Sequence, residues 1–123
     1  MRWILVCLLL IDIVSAESVN LGNHTIEFNM SRPHEVDNDR DTLLIKSFDG
    51  SVLIIPNAPD PSIDAFRVEA IKIDNASGTL SFLKDEYAAT YKKDGEWNAI
   101  LSSLPIYQTA DFLRSLHIEK RSA

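Results

Sequence analysis

Cysteine, glycine and clustered basic residues are what this chain has least of. Among its 123 residues there is one cysteine, Cys7, and there are four glycines. A single thiol excludes an intrachain disulfide framework and any C-x-x-C metal or redox motif. Gly22, Gly50, Gly78 and Gly95 are dispersed as turn residues, which leaves no glycine-rich loop to cradle a phosphate. No serine stands in a G-x-S-x-G nucleophile elbow. Twelve Lys and Arg face eighteen Asp and Glu, for a net charge of −6. The only adjacent basic pairs are Lys92-Lys93 and Lys120-Arg121, and neither extends into the basic stripe that nucleic-acid phosphates or anionic lipids require. The acidic balance is that of a soluble exported surface.

The chain has one long apolar run, Trp3 to Ile11, preceded by Arg2 and followed by the small residues Val14-Ser15-Ala16. A charged start, a short apolar core and a small-residue exit describe a secretory signal peptide cut between Ala16 and Glu17. The alternative, a retained anchor, needs about 20 apolar residues to cross the hydrocarbon layer, and Asp12 closes this run early. Cys7 lies mid-run, which is the wrong place for lipid attachment after cleavage. Residues 1–16 are therefore expected to be the leader, and residues 17–123 a single domain with no transmembrane segment. Removing 16 of the 123 residues leaves 107 and takes away the only thiol. Because Arg2 and Asp12 cancel, the charge of −6 is unchanged. A domain of this size buries a core without covalent staples.

Within residues 17–123 the pattern is mainly strands. Thr25 to Met30 alternates, with Ile26, Phe28 and Met30 on one side. Arg32 to Asp41 is polar and contains Pro33, so it reads as a surface loop. Two hairpins follow from Asp-Gly pairs: Thr42–Phe48 with Ser51–Ile55 around Asp49-Gly50, and Tyr87–Lys93 with Trp97–Ser102 around Asp94-Gly95. Such two-residue turns need positive φ at both centres, which Gly adopts freely and Asp tolerates. In the second hairpin Tyr87, Ala89 and Tyr91 share a face expected to be core. Trp97, Tyr87, Tyr91 and Tyr107 are also the aromatics available to a binding face, with core the preferred reading.

Residues 60–74 are readable either as a helix capped by Asp60-Pro61 or as strand, and the alternation favours strand with a bulge near Ala70. Asn75-Ala76-Ser77-Gly78 reads as a turn into Thr79–Leu83. Thr109 is expected to cap a short helix, Ala110 to Leu116, with Asp111 in its first turn and Phe112, Leu113 and Leu116 as its buried stripe. The expected fold class is α+β: an antiparallel sheet of about six or seven strands built from hairpins, with one short C-terminal helix packed on it.

Chemistry-bearing motifs are few. Asn23-His24-Thr25, Asn29-Met30-Ser31 and Asn75-Ala76-Ser77 are N-glycosylation sequons, usable on an exported chain wherever they are exposed. Asp37, Asp39 and Asp41 alternate as D-x-D-x-D, the way a calcium loop begins. The rest of that loop is missing, because Thr42 replaces the turn glycine and Phe48 the bidentate glutamate. Calcium at Asp37, Asp39 and Asp41 is thus the one cofactor to consider, against a solvated acidic loop. His24, His34 and His117 lack zinc-ligand spacing, and His117 is read as a surface or capping residue.

The leader, the opening strand Thr25-Ile26-Glu27-Phe28-Asn29-Met30 and the closing Phe112-Leu113-Arg114-Ser115-Leu116-His117-Ile118 resemble short exported proteins of methanogenic archaea. That group has no defined catalytic motif, so no functional residue carries over. The resemblance implies a cell-envelope or extracytoplasmic location and N-glycosylation through the same sequon. The sequence therefore points to an exported, non-catalytic binding or accessory domain whose partner is an unknown protein or cell-surface ligand. The alternative is a small secreted hydrolase or metal-dependent enzyme using the acidic segment 37–41. An inhibitor or toxin-like effector is disfavoured, since small scaffolds of that kind are usually dense in disulfides.

Overall fold

The computed structural model describes residues 16–30, 32–59 and 67–121. The proposed leader, apart from Ala16, lies outside the described residues, as does the 60–66 part of the ambiguous segment. Among the described residues there are ten strands and one helix: β1 (Glu17–Leu21), β2 (His24–Phe28), β3 (His34–Asp39), β4 (Thr42–Ser47), β5 (Gly50–Ile55), β6 (Arg67–Ile73), β7 (Ala76–Phe82), β8 (Tyr87–Lys93), β9 (Glu96–Ser102), α1 (Ile106–Ser115) and β10 (His117–Lys120). Every strand pairing is antiparallel. The strands make a seven-stranded sheet in the order β3-β4-β5-β9-β8-β7-β6 and a three-stranded sheet in the order β1-β2-β10. The α+β expectation holds, with the strands divided between two sheets. Among the described residues no helix is long and apolar enough to cross a membrane.

Alternation supplies the core. Leu43 and Ile45 of β4, Val52 and Ile54 of β5, Ile100 of β9 and Ala89 and Tyr91 of β8 are buried from the large sheet. They form one cluster with Leu21, Ile26, Phe28 and Ile118 of the small sheet and with Phe112, Leu113 and Leu116 at the helix end. The small sheet and the helix therefore cover one face of the large sheet. This is the two-layer arrangement that lets each amphipathic element hide its apolar side.

The two Asp-Gly pairs behave differently. Asp94 (φ 53°) and Gly95 (φ 81°) are both left-handed, between Lys93 and Glu96, which pair across the turn, as a tight hairpin turn demands. At the other pair the turn lies one residue earlier than expected. Ser47 pairs with Gly50, so Phe48 and Asp49 are the loop and Gly50 opens β5. Gly50 has φ 149°, and a Cβ there would lie 2.7 Å from the Ser103 carbonyl oxygen. The sequence signal was correct about glycine, but the reason is close approach of another backbone.

Three further expectations are corrected. The polar stretch 32–41 holds strand β3, paired along its length with β4. It is an edge strand of the large sheet, so its side chains need not alternate in polarity. No bulge occurs at Ala70: β6 pairs with β7 in continuous register from Arg67–Phe82 to Ile73–Ala76. The turn there is Asp74-Asn75, both left-handed at φ 54° and 63°, and Ala76 to Gly78 already belong to β7.

The helix begins at Ile106, with Pro105 as its extended N-cap residue. Proline has no N–H to lose and a preset φ, so it begins the helix where Thr109 was expected to. Thr109 is buried inside the helix, and its hydroxyl donates to the Leu104 carbonyl at 3.1 Å. With that proton committed, the Ser102 hydroxyl donates to Thr109 Oγ1 at 2.7 Å and accepts from the Leu104 N–H at 3.1 Å. Asp111 lies mid-helix and pairs with Arg114. The stripe Phe112, Leu113 and Leu116 is buried as expected.

The glycine geometry yields a graded prediction. Gly95→Ala meets no atom within 4 Å and should lose only the left-handed backbone preference, about 1–2 kcal/mol. Gly50→Ala adds a backbone collision and should cost more than Gly95→Ala. Urea unfolding of the two variants should show midpoints in that order.

Candidate functional site

Three loops converge on a cleft of about 440 Å³ at one end of the seam between the sheets. Leu21, Gly22, Asn23 and His24, at the β1–β2 turn, form the wall contributed by the small sheet. Asp41 of the β3–β4 turn and Ile55, Pro56, Asn57 and Pro59 after β5 form the wall contributed by the large sheet. The β1–β2 and β3–β4 turns sit close together, since a Cβ on Gly22 would lie 4.0 Å from Asp41 Oδ1. Each wall is fixed by hydrogen bonds. Arg121 donates through its main-chain N–H to the Asn23 carbonyl at 2.6 Å, and through its guanidinium to the Gly22 carbonyl. Asn57 N–H donates to Asn98 Oδ1 at 3.1 Å, and Ala58 N–H to the Trp97 carbonyl at 2.7 Å. The Thr42 hydroxyl bonds the Asp39 carbonyl at 3.3 Å across the β3–β4 turn.

The walls are also locked to each other. His24 Nε2 lies 2.9 Å from Glu96 Oε1 of β9, and Glu96 Oε2 accepts from Lys120 Nζ of β10 at 3.2 Å. Glu17 Oε1 of β1 lies 2.6 Å from His34 Nε2 of β3. His117 Nδ1 at the start of β10 lies 2.5 Å from Asp74 Oδ1 in the β6–β7 turn. All three histidines of the chain thus pair with a carboxylate across the seam, one for each strand of the small sheet. Asp74 is the most heavily used of these groups. Its side chain is 6% exposed, and it also accepts from Lys93 Nζ at 2.6 Å and from the Ile118 N–H at 3.1 Å. Lys93 Nζ in turn donates to the Ile118 carbonyl at 3.0 Å.

The electrostatics follow from these contacts. Burial opposes ionisation of Asp74, but the hydrogen bonds from Lys93, His117 and the Ile118 amide outweigh it and hold the carboxyl below its usual range. Hydrogen bonding from His24, reinforced by Lys120, lowers Glu96 despite partial burial. Burial works against the charged form of His34, yet the Arg32 carbonyl and the Glu17 carboxylate prevail and raise it above 6.5. Burial, with the Asp74 charge, pushes the Tyr91 hydroxyl up and keeps it neutral.

The residues singled out in the sequence are dispersed. Asp37 and Asp39 lie on one exposed face of edge strand β3, opposite Leu44 and Thr42. Asp41 lies beyond the left-handed Arg40 (φ 44°) and lines the cleft instead. The D-x-D-x-D segment is therefore strand followed by turn. Among the described residues no three His, Cys, Asp or Glu side chains gather to hold a metal.

Asn23, Asn29 and Asn75 are all exposed. Asn23 lines the cleft, Asn75 adjoins Asp74 in its turn, and Asn29 lies just past the end of β2. Ser31 of the middle sequon lies outside the described residues. Ala16 is exposed and Glu17 begins β1. The aromatics divide: Tyr91 is fully buried, Tyr87 packs against the core, and Trp97 and Tyr107 are 38% and 84% exposed. His117, expected as a surface or capping residue, has a side chain 41% exposed and stands at the seam on Asp74. Sequence reasoning missed Asn57, Glu96, Lys93 and Asp74. The one local signal was Asp74-Asn75, a pair suited to left-handed turns. Comparison with protein-family models, with curated proteins and with solved structures finds no match for this chain.

Asp74→Asn keeps a residue that tolerates φ 54°, removes the charge and turns one of the two accepting oxygens into an NH2 donor among the donors His117, Lys93 and Ile118 N–H. Breaking a buried pair in this way should cost about 3–5 kcal/mol. The lowered Asp74 and Glu96 values mean that stability is present above the unfolded carboxyl value of about 4 and is lost as pH falls through the folded values. Thermal unfolding between pH 2 and pH 5 should show a steep acid limb that is shallower in Asp74→Asn.

Proposed function

We propose that this chain is an exported, non-catalytic domain that binds a ligand or partner at the cell surface or in the envelope, through the cleft between the β1–β2, β3–β4 and post-β5 turns. The observation that carries this reading is the cleft itself, with hydrogen-bonded walls, apolar Leu21, Ile55, Pro56 and Pro59, and polar Asn23, His24, Asp41 and Asn57. Its volume of about 440 Å³ falls in the range of small-molecule sites, and mixed apolar walls with a few fixed polar groups are the usual composition of such sites. Among the described lining residues none is Lys or Arg, and the adjacent Arg121 guanidinium is committed to the Gly22 carbonyl, which favours a neutral ligand over an anion. A carboxylate beside two carboxamides offers both acceptors and donors to neighbouring hydroxyls. The ligand class that fits is neutral and hydroxyl-rich, of mono- or disaccharide size.

Export rests on the leader, with cleavage between Ala16 and Glu17, and the resemblance to short exported archaeal proteins favours the same location. Exposure of Asn23, Asn29 and Asn75 suits glycosylation, and a glycan on Asn23 would stand at the lip of the cleft.

Two measurements test this reading. Ligand-observed NMR with neutral methyl glycosides and disaccharides should show saturable binding, weakened about tenfold by Asp41→Asn through loss of a charge-assisted hydrogen bond. Absence of binding to every member of the set overturns the saccharide reading. Intact-mass analysis of protein from its native source should give a chain beginning at Glu17, with glycan mass on at least one of Asn23, Asn29 and Asn75. Retention of Met1 overturns the export assignment.

A further inference from the structure

We infer that Glu96 is a positioning residue that fixes His24 as its Nε2–H tautomer, so that His24 Nδ1 stands on the cleft wall as an acceptor for a ligand hydroxyl. This role rests on the cleft reading above and names the side chain that selects among hydroxyl patterns there. A carboxylate offers lone pairs and no proton. His24 Nε2 lies 2.9 Å from Glu96 Oε1, a hydrogen-bond length that an acceptor-only partner permits only when Nε2 carries the proton. A neutral imidazole has one N–H, so the partner of one nitrogen decides the state of the other. With the proton on Nε2, Nδ1 keeps a bare lone pair.

The surroundings of the ring decide what that lone pair can meet. His24 opens β2 and alternates with the core residues Ile26 and Phe28, so its ring is turned into the seam. Two spaces border it. One, shared with Glu96, Lys93 and Lys120, is a gap of about 10 Å³, room for a single water and no more. The other is the cleft of about 440 Å³, the space large enough for a ligand. Nδ1 has no hydrogen-bond partner among the described residues, and it is not among the buried orphan atoms. It is an accessible, unpaired acceptor.

Glu96 is held in its turn. Its Oε2 accepts from Lys120 Nζ at 3.2 Å, and Lys120 stands opposite His24 in the β2–β10 pair. Both oxygens are thus engaged, and the ring is anchored before any ligand arrives, which lowers the ordering cost of binding. On the cleft wall His24 Nδ1 and the Asp41 carboxylate accept, while the carboxamides of Asn23 and Asn57 supply N–H donors. A ligand group against His24 must therefore donate. An analogue lacking that hydroxyl, or carrying it as a methyl ether, leaves the acceptor unpaired and is rejected.

Nitrogen NMR of the imidazole rings in the isotope-labelled full chain tests the tautomer with no ligand present. Spectra are read at a pH above which the His24 resonances no longer move, where the ring is neutral. His24 should show a protonated Nε2 and a bare Nδ1. Glu96→Leu removes the acceptor, so the two ring shifts should approach each other as the Nδ1–H form becomes populated. A methyl glycoside that binds should move Nδ1 more than Nε2. His24→Gln, whose amide N–H still reaches towards Glu96 but which lacks Nδ1, should bind it about tenfold more weakly. If that variant does not fold, the Nδ1 response of the unaltered chain decides the contact. The Nδ1–H tautomer in the unaltered chain, or ring shifts unchanged in Glu96→Leu, overturns the role of Glu96. An Nδ1 that does not respond to a bound glycoside, or full affinity in His24→Gln, overturns the ligand contact. A Glu96-dependent Nε2–H tautomer in protein that takes up none of the methyl glycosides supports the positioning and overturns the cleft reading alone.

Discussion

The contact on which the rest of this structure depends is the one Asp74 makes across the seam between the sheets. A carboxylate that is 6% exposed tolerates burial only if its lone pairs are filled, and here an ammonium, an imidazole and a backbone amide fill them. Two of these donors, His117 and the Ile118 amide, belong to β10, the last strand of the small sheet. Lys93 completes the circuit by donating to the Ile118 carbonyl. Burying such a group is costly, and removing one partner would leave the others with an uncompensated charge. The position of β10 is therefore determined to within a hydrogen-bond length, and β2 and β1 follow by pairing.

That fixed placement makes the cleft possible. Its walls come from different sheets, and turns on separate layers would drift apart without a tie. His24 is the side chain at which the two roles meet, bordering the cleft and bonding Glu96. Glu96 in turn accepts from Lys120, so the Asp74 and Glu96 networks both anchor β10. The hydroxyl chain Leu104–Ser102–Thr109 does the equivalent task for the helix, joining β9 to α1 inside the core.

Much of the fold was legible in the residues because its causes are local. Alternation in β2, β4 and β5 reflects the two-residue period of a pleated strand, and Asp94-Gly95 marks its turn because few residues accept positive φ. The stripe Phe112, Leu113 and Leu116 follows the helical period. Reading failed where the cause was distant. Edge strand β3 has almost no apolar signal because only one of its neighbours is a strand, so solvent tolerates Glu35, Asp37 and Asp39. Gly50 is required by the Ser103 carbonyl, far along the chain. Pro105 starts the helix four residues before the expected cap Thr109, whose hydroxyl is claimed by the Leu104 carbonyl instead.

The sequence alone determined the strand-rich α+β class, the Asp94-Gly95 hairpin turn and the apolar faces, because period, turn chemistry and side-chain bulk act over a few residues. Tertiary structure alone decided which carboxylate each histidine meets, that Asp41 parts company with Asp37 and Asp39, and that Asn23, Asp41 and Asn57 share one cleft. His24 and Glu96 are 72 positions apart, and Asp74 and His117 are 43. Pairing over such distances depends on how two sheets stack and which strands lie at their edges, and no local preference encodes that.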